Sequence, residues 1–228
     1  MNYGVAHAQP QLLPFELEPV DRREYPYSWN LVYETARPGN VAGKSVLVVG
    51  CGRGGDAHFI HRYLRAGVVV GVDDSRVSIE ACRRAYARPG LEFQVGDAER
   101  LAFPQGSFDA VVSIESSHCY GRLERFYQEA RRVLAPGGSF LYCDFFRDER
   151  FRSALRGAGW EIAQEEEEIT EGVLRACREG EPLRQAMICR MAPPFLRAIL
   201  REWCALPGSR MYRAFEQKEC RYSRFLLR

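Results

Sequence analysis

The segment SIESSHCYGR, residues 113–122, places a carboxylate, hydroxyls, an imidazole, a thiol and a phenol within a few residues. It begins at the end of the apolar run FDAVVSI, residues 108–114, which predicts a strand. His118 is the candidate general base, because an imidazole with an ordinary pKa of about 6.5 can accept a proton near neutral pH. Glu115 or Asp144 could hold its other ring nitrogen and so fix the tautomer. The alternative is that His118 only caps or packs beneath the next helix.

The neighbours of His118 have simpler interpretations. Ser116 and Ser117 are expected to begin the following helix as N-cap residues. Cys119 is expected to be a small packing residue rather than a nucleophile. Tyr120 either lines a binding pocket or faces the core.

A glycine-rich loop forms the second group of candidate residues. GCGRGG, residues 50–55, lies between the apolar run SVLVV and a predicted helix. Glycines let the backbone turn tightly and approach a ligand, and the helix N-terminus adds free N–H groups. Asp73, with Asp74 beside it, ends the next predicted strand, where an acid can accept hydrogen bonds from ribose hydroxyls. The combination predicts a nucleotide-cofactor site that suits either NAD or S-adenosylmethionine (SAM).

Short apolar runs alternate with amphipathic segments from Ser45 onward. SVLVV, VVVGV, LEFQV, FDAVVSI and SFLYCDF predict five strands separated by helices, and WEIAQEEEEIT could add a sixth. Such alternation produces βαβ units, so we expect an α/β fold with a Rossmann-like, doubly wound and mostly parallel sheet. RYSRFLLR at the end leaves no room for a crossover helix and predicts a last, antiparallel strand.

Two further segments are expected to cover the sheet. Residues 1–44 should form an N-terminal cap segment with one short helix around SWNLVYETA, and residues 45–228 a single domain. A helical lid insertion over about residues 170–218 precedes the last strand. Apolar side chains in and near this lid could line an acceptor pocket or could be ordinary core: Phe145, Phe146, Phe195, Trp203, Tyr212 and Phe215.

Two more motifs distinguish between the cofactors. GDA, residues 96–98, ends the third predicted strand, and LAPGG precedes the fifth. Together with the glycine loop, they resemble the class I SAM-dependent methyltransferases from about residue 45 to 144, and more loosely to the C-terminus. MNYG, GCGRGG and ESSHCY followed by RFYQEARRVLAPGG are similar to small-molecule methyltransferases of bacterial natural-product and lipid pathways, including the phthiotriolone methyltransferase group and polyketide O-methyltransferase domains.

The resemblance implies cofactor-binding roles. The methionine end of SAM would be held by the glycine loop, the ribose by the acids after the second strand, and the adenine by the GDA motif, with Ile114 near the methionine amino group: Gly50, Cys51, Gly52, Gly54, Asp73, Asp74, Asp97, Ala98 and Ile114. One position departs from the family, which has an acid two residues before the first glycine, whereas this chain has Val48. Either another acid substitutes, with Glu115 the nearest in sequence, or SAM binds more weakly.

The resemblance also bears on the base. Related polyketide O-methyltransferases use a pair formed by a histidine and an acid, which favours His118 as the base.

Composition argues against several other classes of protein. The 228 residues include 32 basic and 30 acidic side chains with no polybasic run, so we expect neither a nucleic-acid nor a membrane partner. The eight cysteines form no CxxC pair and no zinc-ligand spacing, so neither a metal nor a disulfide framework is expected. With no signal-like segment and no apolar run of about 20 residues, a cytoplasmic location is expected.

The sequence therefore predicts a methyltransferase that moves a methyl group from SAM to a hydroxyl of a small-molecule acceptor, leaving S-adenosylhomocysteine (SAH). The acceptor should be apolar or aromatic in part, and the enzyme a monomer or homodimer. N- or C-methylation on the same fold and a SAM-binding cyclase that transfers no methyl group are the alternatives. An NAD oxidoreductase has no reason to carry the GDA motif and the terminal antiparallel strand.

Overall fold

A computed structural model describes residues 2–7, 13–18, 26–161 and 166–228 of the chain. Its centre is one seven-stranded sheet. The strands in chain order are β1 (Ser45–Val49), β2 (Val68–Asp73), β3 (Leu91–Val95), β4 (Phe108–Ile114), β5 (Leu134–Phe146), β6 (Glu166–Glu168) and β7 (Arg221–Leu227). They lie in the order β3-β2-β1-β4-β5-β7-β6, and β7 runs antiparallel to both of its neighbours. The predicted sheet, with its antiparallel last strand, is confirmed.

Helices cover both faces of the sheet. They are α1 (Pro26–Ala36), α2 (Gly55–Arg62), α3 (Arg76–Tyr86), α4 (Leu123–Val133), α5 (Arg150–Gly157), α6 (Thr170–Glu179), α7 (Glu181–Met191), α8 (Pro194–Trp203) and α9 (Arg210–Glu216). Along β1, Val46 and Val48 pack against α1 and α2, whereas Leu47 and Val49 pack toward α4. This alternation explains why the β1 sequence is continuously apolar: the strand is buried on both faces.

Three sequence expectations need correction. The strand predicted to begin at Ser139 begins at Leu134, because Leu134 already pairs with Phe108 of β4. The chain then turns through Gly137, which has φ +78°, and pairing resumes at Ser139. Of the predicted sixth strand, the described residues place Glu166–Glu168 in β6 and Thr170 at the start of α6, and residues 162–165 lie outside the described ranges. The serines after β4 begin a short 3₁₀ helix, Ser117–Cys119, with Ser116 as its N-cap residue but without a side-chain capping hydrogen bond, and they do not cap α4, whose N-cap is Arg122.

The N-terminal segment and the lid helices lie against one another. The backbone N–H of Val5 donates to Tyr27 in α1, and that of Ala6 donates to Gly172 in α6, both at 3.0 Å. In contrast, α8, whose residues are all described, buries none of its side chains. Among the described helices, none has the length and apolar character needed to cross a membrane.

Candidate active site

A small cavity of about 60 Å³ lies beside the carboxyl ends of β4 and β5. These strands are at the edge where parallel α/β sheets bind ligands. The cavity brings together the N-terminal segment, the loop after β4, the end of β5 and the lid. Its lining consists of Asn2, Tyr3, Glu115, His118, Phe145, Arg184, Trp203 and Cys204.

His118 is paired with Asp144 in this cavity. Its Nδ1 lies 2.8 Å from Oδ1 of Asp144, whose side chain is fully buried at the end of β5. The imidazole also stacks on the ring of Phe145, with ring centroids 4.2 Å apart. Because a carboxylate at Nδ1 holds the proton there, Nε2 is left as the atom that can accept a proton.

Asp144 also organises the loop that carries the histidine. Its Oδ2 accepts hydrogen bonds from the backbone N–H groups of Ser117 at 2.8 Å, Ser116 at 3.2 Å and His118 at 3.3 Å, and from the Ser117 hydroxyl at 2.7 Å. Ser117 further bonds the Tyr142 hydroxyl at 2.6 Å. The serines thus position the loop around Asp144, a role that the N-cap prediction missed.

Both carboxylates near His118 act on its pKa in the same direction. Burial lowers the pKa of His118, but the Asp144 hydrogen bond and the charges of Asp144 and Glu115 outweigh it and raise the pKa above its ordinary value. Burial raises the pKa of Glu115 itself to about 7. A histidine with a raised pKa is a stronger base in its neutral form.

Glu115 was one of two acids that could orient His118, but its carboxylate contacts other residues. Its carboxylate accepts hydrogen bonds from the backbone N–H of Tyr3 at 2.6 Å and from the hydroxyl of Tyr222. Its backbone has φ +48°, a left-handed conformation uncommon for a side chain of this size. Asp144, the other acid considered from the sequence, is the one that holds the histidine.

The glycine loop lies directly beside the loop after β4. Gly50 has φ +70°, and a Cβ there would lie 2.3 Å from the Cβ of Ser116, so only glycine fits. At Gly52, in contrast, a Cβ would meet no atom within 4 Å, which leaves backbone surface for a ligand. The N–H of Gly52 donates to Oδ2 of Asp73 at 2.8 Å, so that the loop adjoins the acid that is predicted to bind the ribose. These residues therefore fit a nucleoside cofactor.

The other predicted cofactor residues lie along the same edge of the sheet. Asp74 and Asp97 are exposed, whereas Ile114 and Ala98 are buried at the ends of β4 and the turn after β3. The predicted residues of the glycine loop and of the strand ends are thus all at the carboxyl edge: Gly50, Cys51, Gly52, Gly54, Asp73, Asp74, Asp97, Ala98 and Ile114.

Several lining residues escaped the sequence prediction. Asn2 and Tyr3 come from the N-terminal segment, and only the MNYG motif hinted at them. Arg184 from α7 is 2% exposed and donates to the backbone oxygens of Tyr3 and Cys204, and no local pattern marked it. Of the six aromatic residues proposed for the acceptor pocket, only Phe145 and Trp203 line the cavity.

The remaining aromatic residues lie elsewhere. Tyr212 and Phe215 are buried in the core, and Phe146 stacks on Phe151. Phe195 is exposed on α8. Within the described residues, no group of three or more His, Cys, Asp or Glu side chains could hold a metal ion.

Comparison with known proteins agrees with this geometry. Residues 47–142 match a methyltransferase domain family. The chain is 34% identical, over 97% of its length and 82% of the relative's, to a phthiotriol/phenolphthiotriol dimycocerosates methyltransferase of Mycobacterium leprae. It is 36% identical, over 97% of its length and 80% of the relative's, to a fatty-acid O-methyltransferase of Mycolicibacterium smegmatis.

A solved structure shares the fold. This is the geranyl diphosphate C-methyltransferase of Streptomyces coelicolor, in complex with Mg²⁺, geranyl diphosphate and SAH. It aligns with a TM-score of 0.71 and 15% identity, over 100% of this chain and 90% of that one. Given the near-complete alignment to relatives above 30% identity, the chain belongs to the class I SAM-dependent methyltransferases that act on small molecules.

Proposed function

We propose that the enzyme methylates a hydroxyl oxygen of a lipid-like acceptor, with His118 as general base and Asp144 as its orienting acid. The observation that carries this proposal is the 2.8 Å contact between His118 Nδ1 and the buried Asp144 carboxylate, inside the cavity beside the glycine loop. An aliphatic hydroxyl is too weak an acid to ionise in water near pH 7, so its methylation benefits from a positioned base.

The chemistry assigned to these side chains is a proton transfer coupled to methyl transfer. Bound SAM would supply the methyl group from its sulfonium, and the S–CH₃ bond would break as the new bond forms, so that neutral SAH leaves. His118 takes the acceptor's hydroxyl proton on Nε2 as the oxygen forms its new bond to carbon, and Asp144 stabilises the resulting imidazolium. Phe145 restricts the ring to one orientation by stacking on it.

The exposed face of α8 supports an acceptor with a long apolar part. The cavity of about 60 Å³ is far smaller than the roughly 300–1,000 Å³ of sites that enclose a whole ligand. It therefore has room for the reacting end only, and Trp203 at its mouth leads onto α8. There Phe195, Ile199 and Trp203 lie at helical spacing and are 77%, 63% and 69% exposed.

A second candidate acceptor is a fatty-acid carboxylate. Arg184 lines the cavity and carries a buried positive charge, and one relative is named a fatty-acid O-methyltransferase. A carboxylate is already ionised at pH 7 and needs no base. The two acceptor classes therefore make different demands on His118.

Methyl transfer to a long-chain alcohol and to a fatty acid of equal length separates these candidates, with SAH release as the measurement. For His118→Ala we expect turnover of the alcohol to fall about 10²- to 10⁴-fold, and turnover of the fatty acid to change less than about tenfold. Cys119→Ala, at the exposed neighbouring residue, is the control. Unchanged alcohol turnover in His118→Ala would remove His118 as the base, and turnover of the fatty acid alone would favour the carboxylate acceptor.

A further inference from the structure

The position where this family carries an acid before the glycine loop is apolar in this chain. Val48 is 2% exposed and packs in the same cluster as Val46 and Phe59. The positively charged amino group of the cofactor's methionine part must therefore find its acceptors elsewhere. An ammonium has three N–H donors and no acceptor, so its site should offer several oxygen atoms.

Two carboxylates flank a single short piece of the N-terminal segment. Oδ1 of Asp56 lies 3.5 Å from the side-chain nitrogen of Asn2, and Oε1 of Glu115 accepts from the backbone N–H of Tyr3 at 2.6 Å. Because Asn2 and Tyr3 are adjacent, with Cα atoms about 3.8 Å apart, the two acids approach the same small region.

Both acids are next to the glycine loop. Asp56 is in the first turn of α2, immediately after the loop, and Glu115 is the first residue after β4. The two segments touch, because a Cβ on Gly50 would collide with Ser116. The acids thus lie at the methionine end of the predicted cofactor site, whereas Asp73 lies at its ribose end.

A third oxygen acceptor points to a ligand independently of the acids. Asn2 is 5% exposed and lines the cavity, and its Oδ1 is buried without a hydrogen bond to any described residue. Leaving such an atom unsatisfied costs about 1–3 kcal/mol, so a donor is expected there.

Burial acts on the acids in a consistent way. It raises the pKa of Asp56 to about 6 and that of Glu115 to about 7. A nearby cation would favour the ionised form of both groups.

We propose that Asp56, Glu115 and the side-chain oxygen of Asn2 bind the methionine ammonium of SAM, in place of the acid that is absent at Val48. The proposal rests on SAM being the cofactor and is independent of the acceptor. It assigns one acceptor oxygen to each N–H of the ammonium. It also gives the N-terminal segment a direct role in cofactor binding.

Calorimetric binding of two ligands tests the assignment. SAH contains the amino-acid part, whereas 5′-methylthioadenosine keeps the adenosine and the sulfur but lacks the ammonium. For Asp56→Asn we expect the Kd of SAH to rise about 10- to 100-fold, as for the loss of a charge-assisted hydrogen bond, and the Kd of methylthioadenosine to change less than threefold. Glu115→Gln should show the same selectivity, and Asn2→Ala a smaller rise in the Kd of SAH of about 3- to 10-fold.

Asp148→Asn, at an exposed acid beyond β5, is the matched control and should leave both Kd values unchanged. The assignment is overturned if Asp56→Asn leaves SAH binding intact, or if it weakens both ligands equally, which would indicate a role in the fold. It is also overturned if wild-type protein binds methylthioadenosine but not SAH. Wild-type protein that binds neither ligand would instead overturn the SAM-dependent function itself.

Discussion

Replacing Asp144 by asparagine tests the proposed base most directly, because the change preserves size but reverses one hydrogen bond. Oδ2 of Asp144 accepts from Ser117 and its neighbours, while Oδ1 accepts from His118 Nδ1 at 2.8 Å and from the N–H of Phe145 at 2.9 Å. Asparagine has one oxygen. If that oxygen accepts the hydrogen bonds from Ser117 and its neighbours, the amide nitrogen faces His118 Nδ1 and the N–H of Phe145.

The reversed hydrogen bond determines the size of the effect. An amide donor at Nδ1 selects the imidazole tautomer that carries its proton on Nε2, and that nitrogen then has no lone pair with which to take the acceptor's proton. The corresponding change in Ser-His-Asp triads costs about 10⁴-fold in kcat. We therefore expect kcat with an alcohol to fall about 10²- to 10⁴-fold. The amide facing the Phe145 N–H should also lower the free energy of unfolding by about 1–3 kcal/mol.

The assay is kcat for the alcohol between pH 6 and 9, together with the Kd of SAH and the melting temperature. Wild-type turnover should rise with pH through the pKa of His118, since the neutral ring is the base. That pKa is raised by Asp144, so in Asp144→Asn the rise should move to lower pH. Tyr127→Phe, which removes a buried hydroxyl 2.8 Å from Tyr142 in the same network, controls for packing damage. A kcat within threefold of wild type, with an unchanged pH profile, would refute the role of the dyad.

Three further predictions address the glycine loop, the buried acid and the lid. Gly50→Ala should lower the free energy of unfolding by about 2–4 kcal/mol and abolish SAH binding, whereas Gly43→Ala, with the same backbone sign but open space, should cost only about 1–2 kcal/mol in chemical denaturation. Glu115→Gln should raise the free energy of unfolding by up to about 3 kcal/mol at pH 8 and leave it unchanged at pH 4. The pKa of Glu115 is about 7 in the folded protein and about 4.5 in the unfolded chain, so the wild-type protein loses stability as the pH rises through this range and the glutamine variant does not. Phe195→Ser with Ile199→Ser should raise KM about tenfold for a long-chain acceptor, and not for a short one, with kcat unchanged.

The fold was predictable because its strands are buried on both faces. The sequences of β1, β2 and β4 are mostly apolar, and the glycine loop and Asp73 mark where β1 and β2 end. The predicted start of β5 was wrong. Pro136 and Gly137 were expected to end a helix, but the residues on either side of them already pair with β4. A local sequence pattern predicts the turn, but it does not predict which strand the neighbouring residues pair with.

The candidate site was predictable only in its local parts. His118 follows a strand and the glycine loop follows another, so topology alone brings them together. Asn2 and Tyr222 reach the same region across more than 100 residues, as the contacts of Tyr3 and Tyr222 with Glu115 demonstrate. Spacing carries no signal over such distances. The sequence revealed the missing acid at Val48, but the groups proposed to take its place could be identified only from the three-dimensional arrangement.

The left-handed residue at Glu115 explains how one short loop can serve both the cofactor and the base. A φ of +48° costs about 1–2 kcal/mol at a residue that has a Cβ. Three backbone N–H groups that donate to the buried Asp144 carboxylate offset this cost. The turn sends the Glu115 carboxylate toward the N-terminal segment and the next three residues toward Asp144. The carboxylate that contacts His118 therefore also holds the strained turn, so the proposed cofactor site and the proposed base depend on one another through Asp144.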